Sequence, residues 1–275
     1  MQIIEQFKSY IKSFDITDPA ISNKWNHSLR VAFRAYDIAE ELGLDQRNIN
    51  IAFYIGLFHD YARFEQRAWF KTFADTLSVD HGDYACELLF KKGHIYSYDI
   101  PEKWYPVFDF AIRNHNKYKI DETKLPLIKI DRNCPPDFNV DVLLHAKILR
   151  DADKLDILKN KVQILESIHC KDAAYNSRTP HGITTEALQQ IKDKQVIQSR
   201  NVKTTPDSIL QSFSFAYDIY TEPAKRMFIK ANYPLNIYRV LENQFDPADT
   251  KTIQRAAEQV MRDLQKSVSE TTKQR

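Results

Sequence analysis

The sequence predicts an all-α protein, and three observations carry that prediction. Apolar residues recur at three- and four-residue intervals along most of the chain. Asp, Thr and Pro cluster where helices should begin, and glycines fall where they should stop. Glycine is also scarce, with 5 residues against 11 prolines in 275. That scarcity counts against a loop-rich barrel and against any fold built on Gly-rich phosphate loops.

The elements follow in chain order. Residues 2–14 form an amphipathic segment through Ile3, Ile4, Phe7, Tyr10, Ile11 and Phe14, and Asp18-Pro19 marks a turn. A second helix is expected over about 24–42, with Val31, Ala35, Ile38 and Leu42 on one stripe and Gly43 to end it. A third, about 46–62, carries Ile49, Ala52, Phe53, Gly56 and Leu57 and ends in His59-Asp60. Residues 63–79 place Phe64, Trp69, Phe70 and Phe73 between charges, which reads as a loop and short helix covering that end. Asp80 is a candidate N-cap for a helix that runs to Lys92 and stops at Gly93. Pro101 suits the first turn of a helix to about Lys117, striped by Trp104, Phe108, Ala111, Ile112 and His115.

Residues 118–139 read as irregular, with Pro126, Pro135 and Pro136. A long helix is expected over about 140–167, then a polar, turn-rich stretch and a short helix within 183–204. Thr205-Pro206, Thr221 with Pro223, and Asp246-Pro247 begin the last three helices, and the tail after Ser267 reads as frayed. The expected organisation is a helical core over 1–168 and a helical C-terminal extension over 169–275.

Bulk properties exclude several classes. Charged residues are 28% of the chain, yet the net charge is only +2, so nothing mandates a nucleic-acid surface. No apolar run approaches the roughly 20 residues of a membrane span, and the N-terminus lacks the pattern of a secretory signal. Cys86, Cys134 and Cys170 are widely spaced and form no CxxC pair, which fits thiols in a reducing cytoplasm.

The chemical signal lies in His and Asp. His27 sits on the Val31–Ala35 stripe, and alone it reads as a hydrogen-bonded core-edge residue. His59-Asp60 closes an apolar helix, and an unpaired buried carboxylate is costly. His81 opens its helix, and His115 lies on an apolar face. The long helix holds Arg150-Asp151-Ala152-Asp153-Lys154-Leu155-Asp156, three carboxylates that demand compensation. Asp151 and Asp153 point about 200° apart on a helix, so both do not face one ion comfortably. Periodicity leaves the choice between them open.

In this order the residues resemble the HD-domain metal-dependent phosphohydrolase superfamily. The matching pieces are His27 in NHSLRVAFRA, His59-Asp60 in GLFHDYAR and Asp153 in RDADKLD, across about residues 24–160. The resemblance implies an HD-type helical bundle with additional C-terminal helices. It implies His27, His59, Asp60 and Asp153 as metal ligands, with Asp153 chosen because Ala152-Asp153-Lys154-Leu155 matches the family's string. His81 in DHGDYA and His115 in AIRNHN resemble the further histidines of members that bind two metals or set His beside the phosphate.

The implied cofactor is one or two divalent ions (Mn, Fe, Co, Ni, Zn or Mg). The implied activity is hydrolysis of a phosphomonoester or phosphodiester, foremost a nucleotide or related small phosphorylated metabolite. Asp60, His81, His115, Arg63 and Lys154 are the candidate catalytic or phosphate-contacting groups. Alternatives are a cyclic nucleotide phosphodiesterase, a guanosine tetraphosphate hydrolase, an oxygenase on the same scaffold, and a non-catalytic metal-binding sensor. No membrane partner is expected. The C-terminal helices are candidates for homo-oligomerisation or for enclosing substrate.

Overall fold

A computed structural model describes residues 2–126, 141–169, 182–241 and 245–273. Among them there is no strand, and the protein is all-α. Chain contacts divide it into two compact units, Met1–Asp153 and Lys154–Arg275.

The first unit begins with α1 (Gln2–Ile11) and α2 (Pro19–Glu41). Asp18-Pro19 is a helix start rather than a free turn. The Asp18 carboxylate accepts from the Ala20 amide while Pro19 fills the first turn, where no N–H is missed. Helix α3 (Gln46–Phe58) starts on the Asp45 cap and hands over at His59 to a tight turn and α4 (Arg63–Phe70). A 3-10 turn, Asp75–Leu77, precedes α5 (His81–Cys86), which Asp80 caps as expected. A π turn, Glu87–Lys91, continues α5 and ends before Gly93, whose φ of 77° suits glycine. The expected helix from Pro101 starts later. Pro101 leads a 3-10 turn, and α6 (Tyr105–Asn114) takes Pro106 in its first turn. Helix α7 (Val142–His169) follows, and the division between the units falls inside it.

Helices α2 and α3 form the main pair of this unit, with α5 against α6 and α3 against α6. Gly56 explains the closeness of α2 and α3. A Cβ there would lie 2.8 Å from the Ala32 Cα and 3.1 Å from the Val31 carbonyl. An aromatic cluster pins the α3–α4 turn from one side. Phe7 of α1 packs 5.3 Å from Phe58 and 5.2 Å from Tyr61, and Tyr10 stacks 4.3 Å from Tyr61. Burying each such ring contributes about 1.5–3 kcal/mol. The residues between those rings are His59 and Asp60.

In the second unit, α8 (Thr185–Lys192), α9 (Thr205–Ser214), α10 (Glu222–Ala231) and α11 (Tyr233–Leu241) are followed by α12 (Pro247–Lys273). Helix α12 packs on α9, α10 and α11 through Ile253, Ala257 and Val260. Thr204, not Thr205, caps α9, in a capping box with Asp207. Helix α11 was not expected: Asn232, left-handed at φ 51°, breaks what would read as one continuous segment. The tail expected to fray after Ser267 stays helical to Lys273. Cys86 is buried and free, whereas Cys134, Cys170, His181 and the stretches 127–140 and 170–181 lie outside the described residues. No described helix is long and apolar enough to cross a membrane.

Candidate metal centre

Four helices and one turn bring six sequence-selected residues together. Helix α2 supplies His27, the α3–α4 turn supplies His59 and Asp60, α5 supplies His81, the end of α6 supplies His115, and α7 supplies Asp153. Their ligand atoms form three overlapping groups: His27–His59–Asp60, His59–His115–Asp153 and Asp60–His81–His115. Asp151 is buried on α7 but belongs to none of these groups among the described residues.

Asp60 is the hinge of the arrangement. Its Oδ2 lies 3.4 Å from Nε2 of both His27 and His59. Its Oδ1 lies 3.5 Å from His81 Nε2 and 4.0 Å from His115 Nε2. Asp153 Oδ1 is 3.1 Å from His27 Nε2 and 3.7 Å from His59 Nε2. One carboxylate thus addresses two pairs of imidazoles, one pair with each oxygen.

The imidazole tautomers follow from what lies behind them. His59 Nδ1 meets the Gly56 carbonyl at 2.7 Å, and His115 Nδ1 meets the Ile112 carbonyl at 2.6 Å. A carbonyl only accepts, so each Nδ1 carries the proton and each neutral ring keeps a bare lone pair on Nε2. Asp75 Oδ2 does the same for His81 Nδ1 at 2.6 Å. Burial, reinforced by the neighbouring His81 and His59 rings, pushes the His115 pKa well down, so that ring is neutral near pH 7.

Yet the Nε2 atoms face one another. His59 and His27 approach to 3.3 Å, and His81 and His115 to 2.9 Å. Facing lone pairs repel unless a proton or metal ion lies between them. The buried Asp60 and half-buried Asp153 carboxylates beside them add a second demand for positive charge. This donor set fits divalent metal: mixed nitrogen and oxygen ligands, with His59, His81 and His115 oriented from behind by a carbonyl or carboxylate.

Sequence reading missed several groups that hold the site. Lys24, one turn before His27, places Nζ 2.5 Å from Asp60 Oδ2. Burial opposes the Asp60 charge, but Lys24 and the adjacent histidines outweigh it and hold its pKa well below the carboxylate range. Asp75 joins His81 to Arg63, whose Nη1 donates to Asp75 at 2.8 Å, to Gln66 at 2.7 Å and to the Phe73 carbonyl at 2.6 Å. Gln66, fully buried, donates in turn to Asp75, Ser78 and the Val79 carbonyl. Arg150, 2% exposed, donates to the carbonyls of Asn114, His115 and Lys117. It therefore caps the end of α6 that presents His115.

The candidate cations fall into distinct positions. Arg63 reaches the cluster, with Nε 3.4 Å from Asp60 Oδ1 and Nη2 3.3 Å from His81 Nε2, but its other donors are held by the protein. Arg67 pairs with Asp18, and Lys117 with Asp80 and Asp83. Lys154 pairs with Asp218 at 2.6 Å within the second unit. The histidines without a role in the sequence reading also divide. His94 meets the Tyr61 hydroxyl at 3.3 Å, and His145 meets Asn48 at 2.9 Å.

With this geometry in place, the comparison with known families is decisive for the core. The HD domain model matches residues 25–158. Residues 25–158 are thus similar to an HD domain. The match begins two residues before His27 and ends five residues after Asp153, so it encloses the whole cluster. The HD domain points to metal-dependent hydrolase chemistry in coarse terms. No curated protein and no solved structure matches the chain.

Proposed function

We propose that this HD domain is a divalent-metal-dependent phosphohydrolase of small phosphorylated metabolites, with nucleotides the first class to test. One observation carries the reading: two pairs of imidazoles converge on the two oxygens of one buried carboxylate. That pattern supports a two-ion centre with Asp60 between the ions. His27, His59, Asp60 and Asp153 would hold one ion, and Asp60, His81 and His115 the other.

A bound divalent ion lowers the pKa of a water and offsets charge on a phosphoryl group. The chain's own residues do the rest. The Gly56 and Ile112 carbonyls and Asp75 fix three rings. Arg63 keeps positive charge beside Asp60 and His81 while tying both to Asp75. Were one ion held instead of two, His81 and His115 would be the groups to donate to the substrate phosphate. Trp69 and Phe70 of α4 are 76% and 46% exposed, and such faces support stacking of a nucleobase.

The test pairs metal analysis of natively purified protein with a screen of nucleotides and phosphoesters against Mn, Fe, Co, Ni, Zn and Mg. Wild type should hydrolyse a phosphoester only with metal, and Asp153→Ala should lose both metal and activity. Full metal occupancy in Asp153→Ala, with loss in Asp151→Ala, would reassign the late ligand. A wild-type protein that binds no divalent ion would sink the proposal.

A further inference from the structure

Among the described residues Lys24 and Arg63 are the lysine and arginine paired with Asp60, and they are held very differently. Arg63 is tied to Asp60, Gln66, Asp75 and the Phe73 carbonyl. Among the described residues Lys24 has one carboxylate contact, Asp60 Oδ2 at 2.5 Å, and its Nζ lies 5.7 Å from the centre of the Phe73 ring. Its side chain keeps 22% of its exposure against 13% for Arg63. Lysine also carries its charge on a four-carbon stem that swings without backbone change.

The oxygen that Lys24 holds is the one facing His27 and His59. An ammonium and a divalent ion held by His27, His59 and Asp60 therefore contend for one oxygen, and like charges this close repel strongly in a buried site. Lys24 sits three residues before His27 on α2, so it stays on the same helix face wherever its tip goes. The Phe73 face offers the tip a place to rest at the rim of the site.

Resting on the metal-centre reading above, we propose that Lys24 is a displaceable counter-ion. A divalent ion at His27, His59 and Asp60 releases its ammonium, which then binds an oxyanion of the substrate phosphate. Metal loading and anion binding are thereby coupled through one side chain. The positive group that recognises phosphate is presented when the ion that acts on phosphate is in place.

Amine labelling of the full-length wild-type chain, read by mass spectrometry, tests this with manganese(II) alone and then with inorganic phosphate. Modification of Lys24 should rise about tenfold on adding manganese, the scale of coupling between two bound groups, and fall back when phosphate follows. Exposed Lys71 should label equally throughout. In titrations, Lys24→Met should bind manganese about tenfold tighter, and its loaded form should bind phosphate about tenfold more weakly. Bound manganese with unchanged Lys24 labelling would overturn the inference, as would weaker manganese binding by Lys24→Met. Wild-type phosphate affinity in that loaded variant would overturn it as well. A wild type that takes up no manganese would fail at the earlier step and sink the metal-centre reading itself.

Discussion

The two units bury their polar groups by opposite rules. In the second, Lys154, Asp207 and Lys161 each meet hydrogen-bonding partners. Lys154 meets Asp218, and Asp207 accepts from the amides of Thr184, Lys203 and Thr204. Lys161 meets the carbonyl and hydroxyl of Ser208 and the hydroxyl of Ser212, though burial still lowers its pKa to about 8. In the first unit, imidazole lone pairs face each other across a buried carboxylate. Satisfied polar burial specifies a fold, whereas frustrated polar burial in a packed core marks a place built for something that is not protein.

The comparison breaks first at Lys154, where the largest effect is expected. Lys154 and Asp218 are 10% and 7% exposed at the side chain, and the Tyr220 hydroxyl donates to the other Asp218 oxygen. Lys154→Met keeps much of the stem but strands a buried carboxylate. Urea unfolding should show a loss of about 3–5 kcal/mol, and the double variant with Asp218→Leu should recover most of it. Metal content should not change. Lost activity with unchanged stability would instead assign Lys154 to the chemistry, as its place beside Asp153 in the sequence suggested.

His145 sharpens the contrast inside the first unit, because it is a buried histidine outside the cluster. Its Nε2 meets the Asn48 side-chain oxygen at 2.9 Å, and burial lowers its pKa to about 4. The folded pKa lies below the ordinary 6.5, so the unfolded chain binds the proton first as pH falls. The stability His145 contributes is full above about pH 6.5, declines below it and is gone near pH 4, about 3 kcal/mol in all. His145→Gln should flatten that part of the curve. An unfolding free energy with the same slope between pH 6.5 and 4 in both proteins would contradict the assignment.

Much of the first unit was legible because apolar helical stripes make a lone His or Asp conspicuous. His27, His59-Asp60 and His115 each lie on or close such a stripe, whereas Asp153 was preferred to Asp151 only through the resemblance to the superfamily's string. The supporting groups were not legible, for a different reason. Asp75 lies in an irregular segment fastened by Gln66 and Arg63, and Arg150 caps carbonyls more than 30 residues away. Such contacts are fixed by packing, not by local pattern. Lys24 had one usable signal, its spacing of three from His27, which places both on one helix face. Helix α11 was missed because a single left-handed Asn232 is enough to end a helix.

Gly56 links the fold to the site. Its missing Cβ lets α3 lie against the α2 backbone, and α2 and α3 carry His27 and His59. Gly56→Ala puts a methyl group where Ala32 and Val31 already stand. The cost should be about 1–3 kcal/mol by thermal or urea unfolding, with weaker metal binding as the two rings separate. A stable variant with wild-type metal affinity would show that the helices yield without moving the rings.

The smallest effect should fall on Asp75, the group that gives one member of the frustrated cluster a satisfied back. Asp75 binds His81 Nδ1 at 2.6 Å and Arg63 at 2.8 Å, and those partners outweigh the cost of burial and hold its pKa well below the usual carboxylate range. Asp75→Asn keeps the shape and removes the charge, and its amide can present N–H instead of oxygen to His81. The ring then loses the acceptor that fixes its tautomer and makes Nε2 the ligand atom. Metal affinity at the His81–His115 side should fall by about 10–100-fold while affinity at the His27–His59 side holds. Titration with a single metal would then resolve two classes of site where the wild type shows them closer together. Equal weakening of both would mean that Asp75 acts through Arg63 on Asp60, the one ligand that both sides share.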